Sequence, residues 1–188
     1  LVVEILGMIE AFVHYFNMHK IENYEVPIVP EEEYPEVDVF IATYNEPADL
    51  LYKTVNGCVH MDYPDKKKVH IYLCDDGKRQ EIRELAEQMG VGYIDREDHK
   101  GAKAGNLNHA MSVTHAPLIA TFDADMIPKR DFLMVTVAYF VDREIKNRDL
   151  DDKDKIKLGF IQTPQILYNP DLFQFNLFAE NKIPNEQD

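Results

Sequence analysis

Apolar positions recur along the chain with two different periods, and the alternation between them predicts the fold. "VDVFIATY" (37–44), "VHIYLC" (69–74), "VGYID" (91–95) and "LIATFD" (118–123) are short runs rich in β-branched and aromatic residues. A fifth such run is centred on "LGFIQT" (158–163). Between them the spacing becomes helical. Leu51, Val55, Cys58 and Val59 follow Pro47, which stands where a helix would begin. Ile82, Leu85, Ala86 and Met89 fall at i, i+3, i+4 and i+7, and Gly90 is a natural stop. "AKAGNLNHAMSVTHA" predicts another helix, and Leu133, Val137, Phe140, Val141 and Ile145 a further one.

Strands alternating with helices predict an α/β domain with a mostly parallel sheet covered by helices. Uninterrupted apolar runs such as "LIATF" suit burial on both faces. In open sheets of this kind ligands bind beyond the carboxyl ends of the strands. The polar clusters fall there: "NEP" after the first strand, "DDG" after the second and "DAD" after the fourth. Together they define one expected site at one sheet edge.

The flanks read differently. Residues 1–16, "LVVEILGMIEAFVHYF", are apolar but for Glu4, Glu10 and His14. A membrane span needs about 20 predominantly apolar residues, so residues 1–20 admit two readings: the remnant of a membrane helix, or an amphipathic helix packed on the domain. Residues 21–36 are rich in proline and glutamate and read as an extended linker. Residues 37–188 form the expected domain, with "NRDLDDKDKIK" as a solvated loop inside it.

Composition narrows the function. The chain has 188 residues, 34 acidic against 20 basic, a formal net charge of −14. A phosphate backbone needs basic patches, so nucleic acid is not an expected partner. An anionic ligand would need a local lysine or a bound cation. Cys58 and Cys74 are the only cysteines and form no C-x-x-C, which suits a reducing compartment. There is no Walker loop, and the single serine, Ser112, stands in no nucleophile elbow.

Asp123 and Asp125 can point to the same side of an extended segment. Two carboxylates so close raise each other's cost of ionisation, and a divalent cation removes that cost. Asp75, Asp76 and Gly77 suit either a tight turn or an acceptor for a nucleoside. Tyr44 offers a ring to a base or to the core, and Glu46 is a further acceptor. "KGAKAGN" places two glycines and Lys103 at a helix start, which suits a diphosphate.

Taken in order, "VDVFIATYNEP", "VHIYLCDDG", "KGAKAGNLNHA", "IATFDADMIP" and "GFIQTP" resemble the family 2 glycosyltransferases of the cellulose synthase group, across residues 37–170. The resemblance implies an A-type glycosyltransferase fold, a UDP-sugar donor (UDP-glucose for a β-glucan such as cellulose), a polysaccharide acceptor and Mg²⁺ or Mn²⁺. By that pattern Thr43, Tyr44, Glu46, Asp75 and Asp76 hold the uridine and Lys103 lies near the diphosphate. Asp123 and Asp125 bind the metal, Asp123 touching the donor as well.

It also implies a parent protein in the cell membrane, with this domain on the cytoplasmic face. That favours the membrane-remnant reading of residues 1–20. Met126 and Gly101 stand where the family often has histidines. The family's T-E-D, which carries the general base, and its acceptor-holding Q-x-x-R-W do not occur in these 188 residues. The expectation is therefore a C-terminally incomplete, donor-binding half, with the base beyond Asp188. Synthesis of another polysaccharide, hyaluronan-like or poly-N-acetylglucosamine, and a non-catalytic nucleotide-sensing role are the rival readings.

Overall fold

A computed structural model of the chain describes residues 2–18 and 25–166. Residues 1 and 19–20 of the expected N-terminal helix, 21–24 of the expected linker, and 167–188 of the expected domain lie outside the described residues. Backbone contacts divide the chain into two compact units, Leu1–Asp149 and Leu150–Asp188.

The first unit runs α1 (Val2–Met18), β1 (Val37–Thr43), α2 (Ala48–Val59), β2 (Val69–Asp75), α3 (Gln80–Met89), β3 (Gly92–Ile94), α4 (Ala102–Val113), β4 (Leu118–Asp123) and α5 (Phe132–Asn147). Its four strands form one parallel sheet in the order β3-β2-β1-β4. Pro47, with extended backbone, is the N-cap of α2, and Gly90 closes α3 in the left-handed conformation that glycine adopts without strain.

β1 is buried along its whole length because neighbouring strands flank it and helices cover it. Its odd positions, Val37, Val39 and Ile41, join the main core with Leu51 and Val55 of α2, Ile82 and Leu85 of α3, and Leu133 and Val137 of α5. Phe40 points the other way, into a smaller cluster with Cys74 and Ala110 of α4. The helical spacings thus mark the faces that meet the sheet. Burial pushes both thiols, Cys58 and Cys74, up to about 12, so they act as small apolar fillers.

Two expectations meet corrections. β4 is an edge strand: Ile119 and Thr121 are exposed while Phe122 is buried, so "LIATF" is not covered on both faces. The fifth strand is absent among the described residues. Residues 156–166 carry neither helix nor strand, and Leu158, Phe160 and Ile166 are exposed. Apolar pattern alone does not make a strand, because the backbone N–H and C=O groups also need a ladder partner.

Residues 25–36, within the expected linker, are tied to the rest of the unit by side-chain contacts. The buried Tyr34 packs edge-on against Tyr63 and donates its hydroxyl to the Met134 carbonyl. Lys68 donates to the Tyr34 carbonyl, Tyr63 to that of Pro35, and Arg148 makes a two-pronged pair with Glu33.

In α1 the side chains of residues 2–17 are exposed, among them Val2, Leu6, Ile9, Phe12 and Phe16. Among the described residues no helix is long and apolar enough to cross a membrane.

Candidate donor-binding site

The sheet register brings the polar clusters together. Thr43 ends β1 opposite Asp75 at the end of β2, and Ala42 lies opposite Asp123 at the end of β4. Seven of the eight residues singled out from the sequence lie on this edge or on the loops leaving it, and the eighth, Lys103, lies in the first turn of α4.

The turn after β1 organises itself around Glu46. One oxygen of its carboxylate accepts from the Thr43 hydroxyl at 2.7 Å and from the backbone N–H groups of Tyr44 and Asn45 at 2.8 and 3.2 Å. Burial alone would raise the Glu46 carboxyl, but these hydrogen bonds outweigh it and hold the group below its usual range. With that oxygen turned inward, Glu46 braces the loop. Tyr44 projects outward, 59% exposed, which removes the core-packing reading of its ring. His99 stands edge-on to it, with ring centres 6.3 Å apart.

At the end of β2 the two aspartates are buried and each is paired with an arginine. Asp75 accepts from the backbone N–H groups of Gly77 and Arg79, from two guanidinium nitrogens of Arg79 and from the Tyr93 hydroxyl. A carboxylate offers about four lone-pair sites, so Asp75 is saturated. Burial, with the Asp75 carboxylate beside it, pushes the Tyr93 phenol up to about 12, so it stays a donor. Arg79 reaches on to the Thr43 hydroxyl and the Glu46 carbonyl, joining the first two strand ends. Gly77 is required here, since a Cβ would run into the Tyr44 carbonyl oxygen.

Asp76 makes a two-pronged pair with Arg96 at 2.5 and 2.8 Å, with His99 3.5 Å away. The Arg96 guanidinium holds the Asp76 carboxyl below its usual range despite burial. Only two close donors are spent on it, so Asp76 keeps acceptor capacity that Asp75 lacks.

Arg96 also donates to the carbonyls of Lys100 and Ala102. That turn is strained: Gly101 and Ala102 both have positive φ, and the second lacks glycine's freedom. Arg96 therefore fixes the backbone from which Lys103 springs. Gly105 completes the packing, because a Cβ there would collide with the Lys100 carbonyl and crowd Arg96.

At the end of β4 the intervening Ala124 is buried, while Asp123 is half-buried and Asp125 exposed. The two carboxylates thus lie on the side away from the core. α2 holds this turn from behind: the Thr54 hydroxyl donates to the Ala124 carbonyl at 2.7 Å, and Gly57 leaves room for Ile127 and Pro128. The Lys103 ammonium pairs with Asp123.

Among the described residues no three His, Cys, Asp or Glu side chains gather to hold a metal on their own. The donor set at Asp123 and Asp125 nevertheless fits Mg²⁺ or Mn²⁺. It offers hard carboxylate oxygens, already attracts a cation in the form of Lys103, and matches Mg²⁺ sites that use one or two carboxylates plus substrate phosphates.

The sequence reasoning missed Arg79, Tyr93, Arg96 and His99. The signal for the arginines was electrostatic: buried carboxylates need cations nearby, and Arg79 and Arg96 are the two that closely follow "DDG" and precede "KGAKAGN".

Comparison with known proteins agrees with this geometry. A cellulose synthase catalytic subunit [UDP-forming] from Pseudomonas fluorescens (strain SBW25) is 43% identical over 155 residues, 82% of this chain and 19% of that protein. Cellulose synthase 1 of Komagataeibacter xylinus is 36% identical over 188 residues, 99% of this chain and 11% of its own length. The chain thus spans a fifth or less of these relatives. Among solved structures, a mannosyltransferase from Pyrobaculum calidifontis, in complex with GDP-Man and Mn²⁺, superposes with a TM-score of 0.55. It is 23% identical, covering 69% of this chain and 39% of that one, and it supports the A-type glycosyltransferase fold. The model of the family described as Glycosyl transferase family 2 matches residues 38–156. By that match, and by the motifs its sheet edge gathers, the chain belongs to glycosyl transferase family 2.

Proposed function

We propose that the chain is the donor site of a glycosyltransferase of the cellulose synthase type, binding a UDP-hexose, UDP-glucose for a β-glucan, together with Mg²⁺ or Mn²⁺. The observation that carries this reading is the convergence of three strand ends on one edge, with an outward ring, a buried acceptor and two outward carboxylates. The name of the Pseudomonas fluorescens relative, UDP-forming, favours uridine as the nucleoside.

In this reading the Tyr44 ring offers a face to the base, and Asp76, with acceptor capacity left over from Arg96, receives its N–H. Asp75 and Glu46 act at one remove, by shaping the turns. Lys103 neutralises part of the diphosphate, and Asp123 and Asp125 would hold the cation. When bound, the cation supplies Lewis-acid stabilisation of the charge that develops on the leaving diphosphate. Transfer is inverting: an acceptor hydroxyl of the growing glycan attacks the anomeric carbon, the bond to UDP breaks, and a general base outside this donor site takes the proton.

The parent protein is proposed to sit in the cell membrane with this domain on the cytoplasmic side, where UDP-sugars are made. The exposed apolar side chains of α1 support a lipid or membrane-helix neighbour. Sedimentation with liposomes should carry down the whole chain and not a form lacking residues 1–20, whose melting temperature should be unchanged.

The test of the donor reading is competition among nucleotide sugars in the presence of Mn²⁺. UDP-glucose and UDP should displace a fluorescent UDP analogue far better than GDP-mannose or ADP-glucose. Equal displacement by all of them would remove the uridine site.

A further inference from the structure

Lys103 and Asp123 are assigned to different parts of the donor, the diphosphate and the cation, yet here they are bound to each other. Lys103 sits in the first turn of α4, on backbone that Arg96 fixes through the Lys100 and Ala102 carbonyls. The pair is open to solvent: the Lys103 side chain is 57% exposed and that of Asp123 38%. Exposed pairs of this kind are weak and exchange readily. The ammonium occupies one oxygen of the Asp123 carboxylate, and like charges oppose the approach of a dication to that group. Two carboxylates without a third protein ligand are a poor site for a bare cation, which then needs phosphate oxygens to complete its shell.

We propose that Lys103 is a resident counter-ion exchanged on donor binding: the incoming diphosphate draws Lys103 off Asp123, which releases that carboxylate to the cation. Nucleotide and cation therefore enter as a pair, and the cation alone is resisted. The exchange rests on the donor-site reading above and adds to it the order in which the charges are handed over.

It predicts effects of opposite sign from one substitution. In Lys103→Met the apparent affinity for Mn²⁺ without nucleotide should rise by about threefold, the fold-change expected from losing a weak exposed pair. In the same variant the affinity for UDP with Mn²⁺ should fall by about tenfold or more, because a charged hydrogen bond to phosphate is lost. Lys103→Arg, which keeps the charge, should stay near wild type for Mn²⁺ alone.

The measurement is a titration of the 188-residue chain with Mn²⁺, followed by the loss of the free-ion electron paramagnetic resonance signal, with and without UDP. Thermal melting of each variant checks that the fold is kept. A rise for Mn²⁺ alone together with a fall for UDP supports the exchange. Unchanged or lower affinity of Lys103→Met for Mn²⁺ alone overturns it, while the donor reading stands so long as wild type binds UDP with Mn²⁺. If wild type binds no UDP under any condition, the donor reading fails and the exchange falls with it.

Discussion

The carboxyl ends of β2 and β4 each carry a pair of aspartates, and the fold treats the two pairs in opposite ways. Asp75 and Asp76 are buried, and Arg79, Tyr93, Arg96 and backbone N–H groups take up their oxygens. Asp123 and Asp125 face outward, and the cation at Asp123 is a lysine on a flexible stem. Burial makes the first pair part of the framework, since an unpaired buried charge would cost several kcal/mol. Exposure leaves the second pair available, since water already solvates it and little is lost on exchange. Adjacent carboxylates in sequence are thus not one kind of site. Their neighbours decide how far each builds the loop or meets the ligand, and Asp76, with acceptor capacity left beside Arg96, is placed to do both.

Substitutions should divide along the same line. The largest effect on stability is expected at Asp75. Asp75→Ala leaves the Arg79 guanidinium without its carboxylate and frees two backbone N–H groups and the Tyr93 hydroxyl, at a cost of about 3 kcal/mol or more. Urea denaturation measures it, and a change below about 1 kcal/mol would show that Asp75 is not part of the framework. Arg96→Ala should also destabilise, by leaving Asp76 without its partner.

Asp76 should show itself in acid. Its carboxyl is held below the usual range in the folded state, so its contribution is complete above the unfolded value of about 3.9 and is lost as pH falls through the lowered folded value. In Asp76→Asn that part of the acid dependence should disappear, and uridine affinity should fall with or without metal. An acid-denaturation curve identical to wild type would contradict the pairing with Arg96.

The smallest effect on stability belongs to Asp125. Asp125→Asn should leave the melting curve within about 0.5 kcal/mol of wild type, as for an exposed side chain. It should nevertheless abolish the gain in UDP affinity that Mn²⁺ gives. Marked destabilisation would place Asp125 in the framework and end the contrast with β2.

Much of this was legible in the sequence because it is local. The strands β1 to β4, the helices between them, the stop at Gly90 and the three polar clusters at strand ends all follow from periodicity and turn residues. The expected extended placement of Asp123 and Asp125 is not what the fold uses: β4 ends at Asp123, and the two side chains flank a turn at Ala124 and Asp125 closed by the Met126 N–H on the Asp123 carbonyl. What was not legible depends on partners distant in sequence. Asp76 meets Arg96 across 20 residues, and Tyr93 meets Asp75 across 18, through the pairing of β2 with β3. The inward turn of Glu46 depends on backbone dihedrals that the letters T-Y-N-E do not specify. The run at 158–163 has strand-like residues without the ladder that makes a strand. The lone exposed face of β4 reflects its place at the sheet edge, which comes from topology and not from its own composition.

The contrast between a built-in nucleoside end and an open cation end is tested most directly by calorimetry of two ligands on the wild-type chain. Uridine and UDP are each titrated with Mn²⁺ and then with EDTA. UDP should bind on the order of tenfold or more tightly with the metal, while uridine should bind the same in both conditions. Equal UDP affinity with and without metal, or uridine binding that collapses in EDTA, would contradict the division of labour between β2 and β4.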